Sequence, residues 1–127
     1  MNVVDSSGWL EFFAGGPNAG HFAPALTDVA RLIVPAISVF EVFKRVLQQR
    51  GETAAIQAAA LMQQGQVVDL DTSLAMAAAK LSADLRLPMA DSIMLATARQ
   101  HGATLWTQDA DFLDLPGVRY FSKPAAA

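Results

Sequence analysis

Short apolar runs alternate along this chain with longer stretches in which apolar residues recur every three or four positions. The first pattern suits strands buried on both faces, and the second suits helices laid over them. Val3-Val4 predict a short first strand, ended by Asp5-Ser6-Ser7. A helical turn through Trp9, Leu10, Phe12 and Phe13 follows, broken at Gly15-Gly16-Pro17. Phe22, Leu26, Val29 and Ala30 keep helical spacing and predict a second helix to about Arg31. Leu32-Ile33-Val34 form the next strand, closed by Pro35. Ser38-Val39-Phe40-Glu41 has the spacing of a capping box, opening a helix that runs to Arg50-Gly51. An alanine-rich helix from Glu52 to about Gln64 leads to a third strand at Val67-Val68. Asp71 or Thr72 caps a helix to about Leu85, and Pro88 fits the first turn of another that ends near His101-Gly102. Ala103 to Thr107 and Val118 to Phe121 complete a set of five strands, and Lys123-Pro124 with three alanines makes a frayed tail.

Strands alternating with helices in this way predict an α/β, three-layer sandwich: a five-stranded parallel sheet with helices on both faces. No repeat, linker or internal boundary divides the chain, so residues 1–127 are expected to form a single domain. Hydrophobic residues make up 53% and charged residues 17%, enough for a continuous core. The absence of cysteine excludes disulfides, thiolate metal sites and cysteine nucleophiles. No apolar run approaches membrane-spanning length, and the amino terminus lacks the charge of a signal peptide, so a soluble cytoplasmic protein is expected.

Four acids change the picture. Asp5 and Asp109 each stand just past the carboxyl end of a predicted strand, the edge at which open parallel sheets bind ligands. Glu41 sits early in a helix that starts from the same edge. Asp91 lies early in the helix leading to the fourth strand and shares a face with Leu95 and Ala98, an apolar setting for a charge. Crowded carboxylates repel one another unless a cation is present. An all-oxygen set without His or Cys suits Mg²⁺ or Mn²⁺, which activate water and stabilise charge on a phosphodiester. The net charge of −3 is unusual for a protein that binds nucleic acid. Leaving those four acids aside, eight acids face nine bases, so the whole-chain charge decides little.

Each acid taken singly also has a structural reading. Asp5 can end a strand and cap a turn, Glu41 can be the far half of the capping box, Asp91 can complement a helix dipole, and Asp109 and Asp111 can be turn residues. Their joint placement at one sheet edge is what favours a site. Other candidates are weaker: His21 and His101 are isolated, Gly15-Gly16-Pro17 lacks the phosphate-loop spacing, and Trp9, Phe12 and Phe13 suit a core face better than a base platform. Lys44, Arg45, Arg86 and Arg99 fit either phosphate contacts or a solvated helix face.

Four segments carry a resemblance: Val3-Val4-Asp5-Ser6-Ser7, Ser38-Val39-Phe40-Glu41-Val42, Leu87-Pro88-Met89-Ala90-Asp91-Ser92-Ile93 and Leu105-Trp106-Thr107-Gln108-Asp109-Ala110-Asp111-Phe112. In this order and spacing they resemble the PIN domain, most closely the VapC-type toxin ribonucleases of bacterial toxin–antitoxin pairs. The resemblance implies a Mg²⁺- or Mn²⁺-dependent endoribonuclease with Asp5, Glu41, Asp91 and Asp109 at its acidic positions. It implies that Asp111 assists through water and that Ser6 and Thr107 orient neighbouring aspartates. It also implies a homodimer and a cognate antitoxin that blocks the site, often with a basic side chain. Many relatives have Asp-Thr-Asn where this chain has Asp5-Ser6-Ser7, so the hydroxyl is kept and the amide is not.

The leading expectation is therefore hydrolysis of single-stranded or loop RNA by a metal-activated water, leaving 5′-phosphate and 3′-hydroxyl ends. Asp5, Asp91 and Asp109 would hold the metal, and Glu41 would hold it or position the water. Two alternatives stand beside it. A receiver-type signalling module also uses strand-end aspartates and Mg²⁺, but it needs a lysine ending a later strand, and Lys123 lies beyond the fifth. A catalytically inactive PIN-fold interaction protein would keep the fold without the reaction.

Overall fold

The computed structural model describes residues 1–124. The tail expected at 125–127 lies outside the described residues. Strands β1 (Asn2–Val4), β2 (Leu32–Pro35), β3 (Gln66–Val68), β4 (Thr104–Thr107) and β5 (Val118–Tyr120) pair in parallel in the order β3-β2-β1-β4-β5. Six α-helices connect them: α1 (Ser6–Ala14), α2 (Ala19–Thr27), α3 (Ala36–Arg50), α4 (Glu52–Met62), α5 (Thr72–Leu85) and α6 (Met89–Gln100).

Successive residues of a strand point to opposite faces, and here both faces are covered. Val4, Leu32, Val34 and Trp106 pack under α1 to α4 with Trp9, Phe22, Val42 and Met62. Val3, Ile33 and Leu105 pack on the other face with Met94, Leu95 and Ala98 of α6 and with Phe112. Helix α5 lies outside α6, joined to it through Leu74, Ala78, Ile93 and Ala96. This is the expected three-layer α/β sandwich. All four residues of β2 are buried, whereas Gln66 and Val67 of the edge strand β3 are exposed. The central strand β1 is flanked by β2 on one side and β4 on the other, so the connections leaving β1 and β4 part and leave a crevice beyond their carboxyl ends.

Three local expectations are corrected. The second helix stops at Thr27, and Val29–Arg31 form a separate 3₁₀ turn in which Val29 is exposed. Asp28 leaves the helical region there, at φ −86° and ψ 68°. The capping box does not form: α3 opens three residues earlier, directly after Pro35, so Ser38 is already inside the helix. Its buried hydroxyl donates to Met94 Sδ at 3.0 Å, and Glu41 is free of the helix end. Pro88 immediately precedes α6 rather than lying within its first turn.

Helix α1 sits unusually close to β1 because of one residue. A Cβ at Gly8 would stand 2.5 Å from Val4 Cγ1 and 2.9 Å from the Phe22 ring. Alanine is the better helix former by about 1 kcal/mol, but the clash is with side chains buried in the core. Gly8→Ala should therefore lower the urea midpoint, with a loss of about 1–3 kcal/mol. A raised midpoint would mean that the contact relaxes without cost.

Candidate active site

The crevice between the ends of β1 and β4 collects the acids. Asp5 follows β1 directly, and its N–H donates to Trp106 O at 3.1 Å, prolonging the pairing of the two strands by one bond. It is the N-cap of α1 and is 3% exposed. Its Oδ1 accepts from Ser7 Oγ at 2.7 Å and from Gly8 N at 3.0 Å, and its Oδ2 accepts from Thr107 Oγ1 at 2.7 Å. Burial pushes the carboxyl up to about 6, against the pull of those three donors and with some help from the charge of Asp109.

Thr107 is a bridge between two acids. The same hydroxyl that donates to Asp5 accepts from Asp109 N at 2.9 Å. Asp109 in turn caps the 3₁₀ turn Ala110–Phe112 by accepting from Asp111 N at 2.9 Å. From the first turn of α6, half-buried Asp91 reaches the same place, and carboxylate oxygens of Asp91, Asp109 and Asp111 all lie within 4.8 Å of one another. Burial, the charge of Asp109 and a hydrogen bond with Asp111 push Asp91 up to about 7, with further repulsion from Asp111 and Asp5.

Glu41 stands apart from this trio. It is half-buried and accepts from Ser6 Oγ at 2.8 Å, which ties it to the first turn of α1 beside Asp5. Ser6 therefore serves Glu41, and the hydroxyl that holds Asp5 from this segment is Ser7, at the position where the resemblance had raised doubt. Asp111 lies directly in the acidic cluster. A further pair was not legible beforehand: buried Asn18 donates from Nδ2 to Gln108 Oε1 at 3.0 Å and to Ser122 O at 3.1 Å, bracing the segment between Thr107 and Asp109. Nothing in the sequence links positions 18 and 108. The histidines lie outside the cluster: His21 stacks on Phe121 with centroids 4.8 Å apart, and His101 Nδ1 is 2.9 Å from Thr97 O.

Among the described residues, ion pairs join only Arg31 to Asp28 and Lys80 to Asp84. No cationic side chain neutralises the cluster, and its donors are all carboxylate oxygens. A hard divalent cation fits such a set.

The comparisons bear on the fold that carries these residues. A family model described as the PIN domain matches residues 3–118. The chain belongs to the PIN domain family. A search of curated proteins finds no match. Among solved structures, a toxin–antitoxin complex from Klebsiella pneumoniae contains a chain 22% identical, with a TM-score of 0.79 over 94% of this chain and 96% of that one. VapC20 of Mycobacterium tuberculosis, described as a sarcin–ricin loop cleaving toxin, is 19% identical, with a TM-score of 0.72 over 88% and 92%. VapBC2 of Rickettsia felis, bound to a DNA fragment from its promoter, contains a chain 12% identical, with a TM-score of 0.72 over 95% and 97%. These likenesses establish a shared PIN fold. The strand order also overturns the receiver alternative, because that fold orders its strands 2-1-3-4-5.

Two outcomes follow from the site. Asp5 holds its proton to higher pH in the folded chain than in the unfolded one, so unfolding releases a proton between about pH 4 and 6. Metal-free stability should fall across that window, by about 3 kcal/mol from Asp5 alone. Asp91 extends the decline toward pH 7. Urea midpoints measured in EDTA and in Mn²⁺ check this: Mn²⁺ should remove the decline, and a metal-free midpoint that is flat or rises with pH contradicts it. Thr107→Val removes a donor to Asp5 and an acceptor for Asp109 N–H. It should cost about 1–3 kcal/mol and weaken Mn²⁺ binding at least about tenfold, while Thr107→Ser retains both.

Proposed function

We propose that residues 1–127 act as one nuclease domain, a Mg²⁺- or Mn²⁺-dependent endoribonuclease that serves as the toxin of a toxin–antitoxin pair. The observation that carries the reading is the crowding of Asp91, Asp109 and Asp111 in the crevice beside buried Asp5, with no ion pair to offset them among the described residues. Asp5, Asp91 and Asp109 hold the metal. When bound, the ion supplies an activated water and offsets charge on the phosphodiester. Thr107 orients Asp5 and fixes the backbone of Asp109, Ser7 holds Asp5, and Ser6 holds Glu41. Glu41 is a further ligand or directs the attacking water. Asp111 lies against Asp91 and helps to raise it through a hydrogen bond, after burial and the charge of Asp109. Attack in line with the leaving 3′ oxygen gives 5′-phosphate and 3′-hydroxyl ends.

The family match and the likeness to chains from toxin–antitoxin complexes support a cognate antitoxin as partner. A homodimer and a cytoplasmic setting complete the proposal. Among the described residues no helix is long and apolar enough to cross a membrane. All four acids of the motif are present, which disfavours an inactive interaction protein.

Asp91→Asn tests the reading. It should reduce RNA cleavage in Mn²⁺ by about a hundredfold or more and abolish the calorimetric Mn²⁺ signal. Its metal-free unfolding midpoint should not fall, since a repelled charge is removed. Wild-type cutting by this variant, or a wild-type protein that takes up no Mn²⁺, would sink the assignment.

A further inference from the structure

Helix α3 leads away from the carboxylates with an outer face that its neighbours leave uncovered. Ser38, Val42 and Val46 are buried, whereas Phe40, Lys44, Arg45 and Gln48 point outward and are exposed. Phe40 keeps 64% of its surface open although it adjoins Glu41. Lys44 Nζ stands 5.9 Å from the centre of its ring. Neither Lys44 nor Arg45 enters an ion pair among the described residues. Together with Glu41 and Gln48 these residues line one shallow cleft of about 250 Å³. From Glu41 to Gln48 it runs about 10 Å along the helix.

We infer that this cleft is a subsite for single-stranded RNA, with phosphates against Lys44 and Arg45 and a base stacked on Phe40. The inference rests on the ribonuclease reading and adds how substrate is held. Carboxylates gathered in the site repel a polyanion, so cations beside the site favour its approach. Two unpaired cations flanking an open aromatic ring form the composition of sequence-tolerant single-strand grooves. A second copy of the chain is the weaker occupant, because lysine is depleted from the cores of protein interfaces. Glu41 lines the same cleft, so the subsite includes one of the candidate catalytic acids.

The test uses a labelled, mixed-sequence RNA of about 12 nucleotides, within the range such grooves accommodate. Binding is measured by anisotropy in EDTA, and cleavage is measured with Mn²⁺. Lys44→Ala with Arg45→Ala should raise Kd and KM about tenfold and reduce the steepness of log K against log salt by about 1.4, the value for two single-strand phosphates. The kcat should stay within about twofold, since neither side chain touches the reacting atoms. Phe40→Ala should weaken binding about tenfold at unchanged salt slope, and Phe40→Trp should restore it. All these variants should keep the wild-type Mn²⁺ affinity and unfolding midpoint. If the double variant keeps both KM and salt slope while the wild type cuts RNA, the subsite is refuted and the ribonuclease reading stands. If the wild type neither cuts nor binds RNA, both fall. If Phe40→Ala dissociates a dimer in sedimentation yet keeps RNA affinity, the ring faces a second copy and the inference is refuted.

Discussion

Asp5 accepts three hydrogen bonds at the end of the central strand, two from the first turn of α1 and one from the last residue of β4. That single carboxylate therefore joins strand, helix and neighbouring strand at the point where the connections part. The bond to Thr107 is the critical one. The threonine hydroxyl is spent twice, as donor to Asp5 and as acceptor from Asp109 N–H, so the end of β1 and the loop after β4 are held by one oxygen. The close approach of α1 depends on Gly8, whose missing Cβ admits Val4 and Phe22. If α1 moved outward, the donors of Ser7 and Gly8 would move with it and leave a buried carboxylate under-satisfied.

The same arrangement costs stability. Three donors do not offset the burial of Asp5, and its carboxyl still ends well above its ordinary range. Asp91 is pushed higher by a different balance, in which neighbouring acids add to burial. A fold optimised only for stability would place a lysine or arginine among them. Here the sheet and α6 hold the acids together regardless, because Val3, Val4, Met94 and Leu95 beneath them are fully packed and leave the backbone no easy retreat. Repulsion that the core withstands is the feature that suits the proposed metal.

The acids also differ in how they are held. Asp5 is fixed by backbone and hydroxyl donors, Asp109 accepts from the backbone N–H of Asp111 and donates its own N–H to Thr107, and Asp91 comes from a helix whose residues 92–98 are all buried. Glu41 depends on one serine. A ligand on a longer side chain with a single donor has more freedom to reorient than the aspartates, and its helix is also the one that carries the exposed cations of the proposed RNA subsite. Metal and substrate contacts would thus meet on α3.

Much of this was legible in the amino-acid order because it depends on local chemistry. The five strands, their parallel pairing and the two-sided cover follow from short apolar runs between amphipathic stretches, and strand-end aspartates at Asp5 and Asp109 mark the binding edge. Local chemistry misled where two explanations share one pattern. Ser38 and Glu41 have capping-box spacing, but Pro35 already begins the helix, and their real partners, Met94 and Ser6, lie 56 and 35 residues away in sequence. The strand order that places β1 beside β4, the entry of Asp111 into the cluster, the bond from Ser6 to Glu41 and the Asn18–Gln108 brace were decided only by tertiary packing. Sequence by itself determined which residues could carry charge to the edge of the sheet. Which oxygens meet there depends on how separate segments pack in space, and no periodicity along a single segment encodes that.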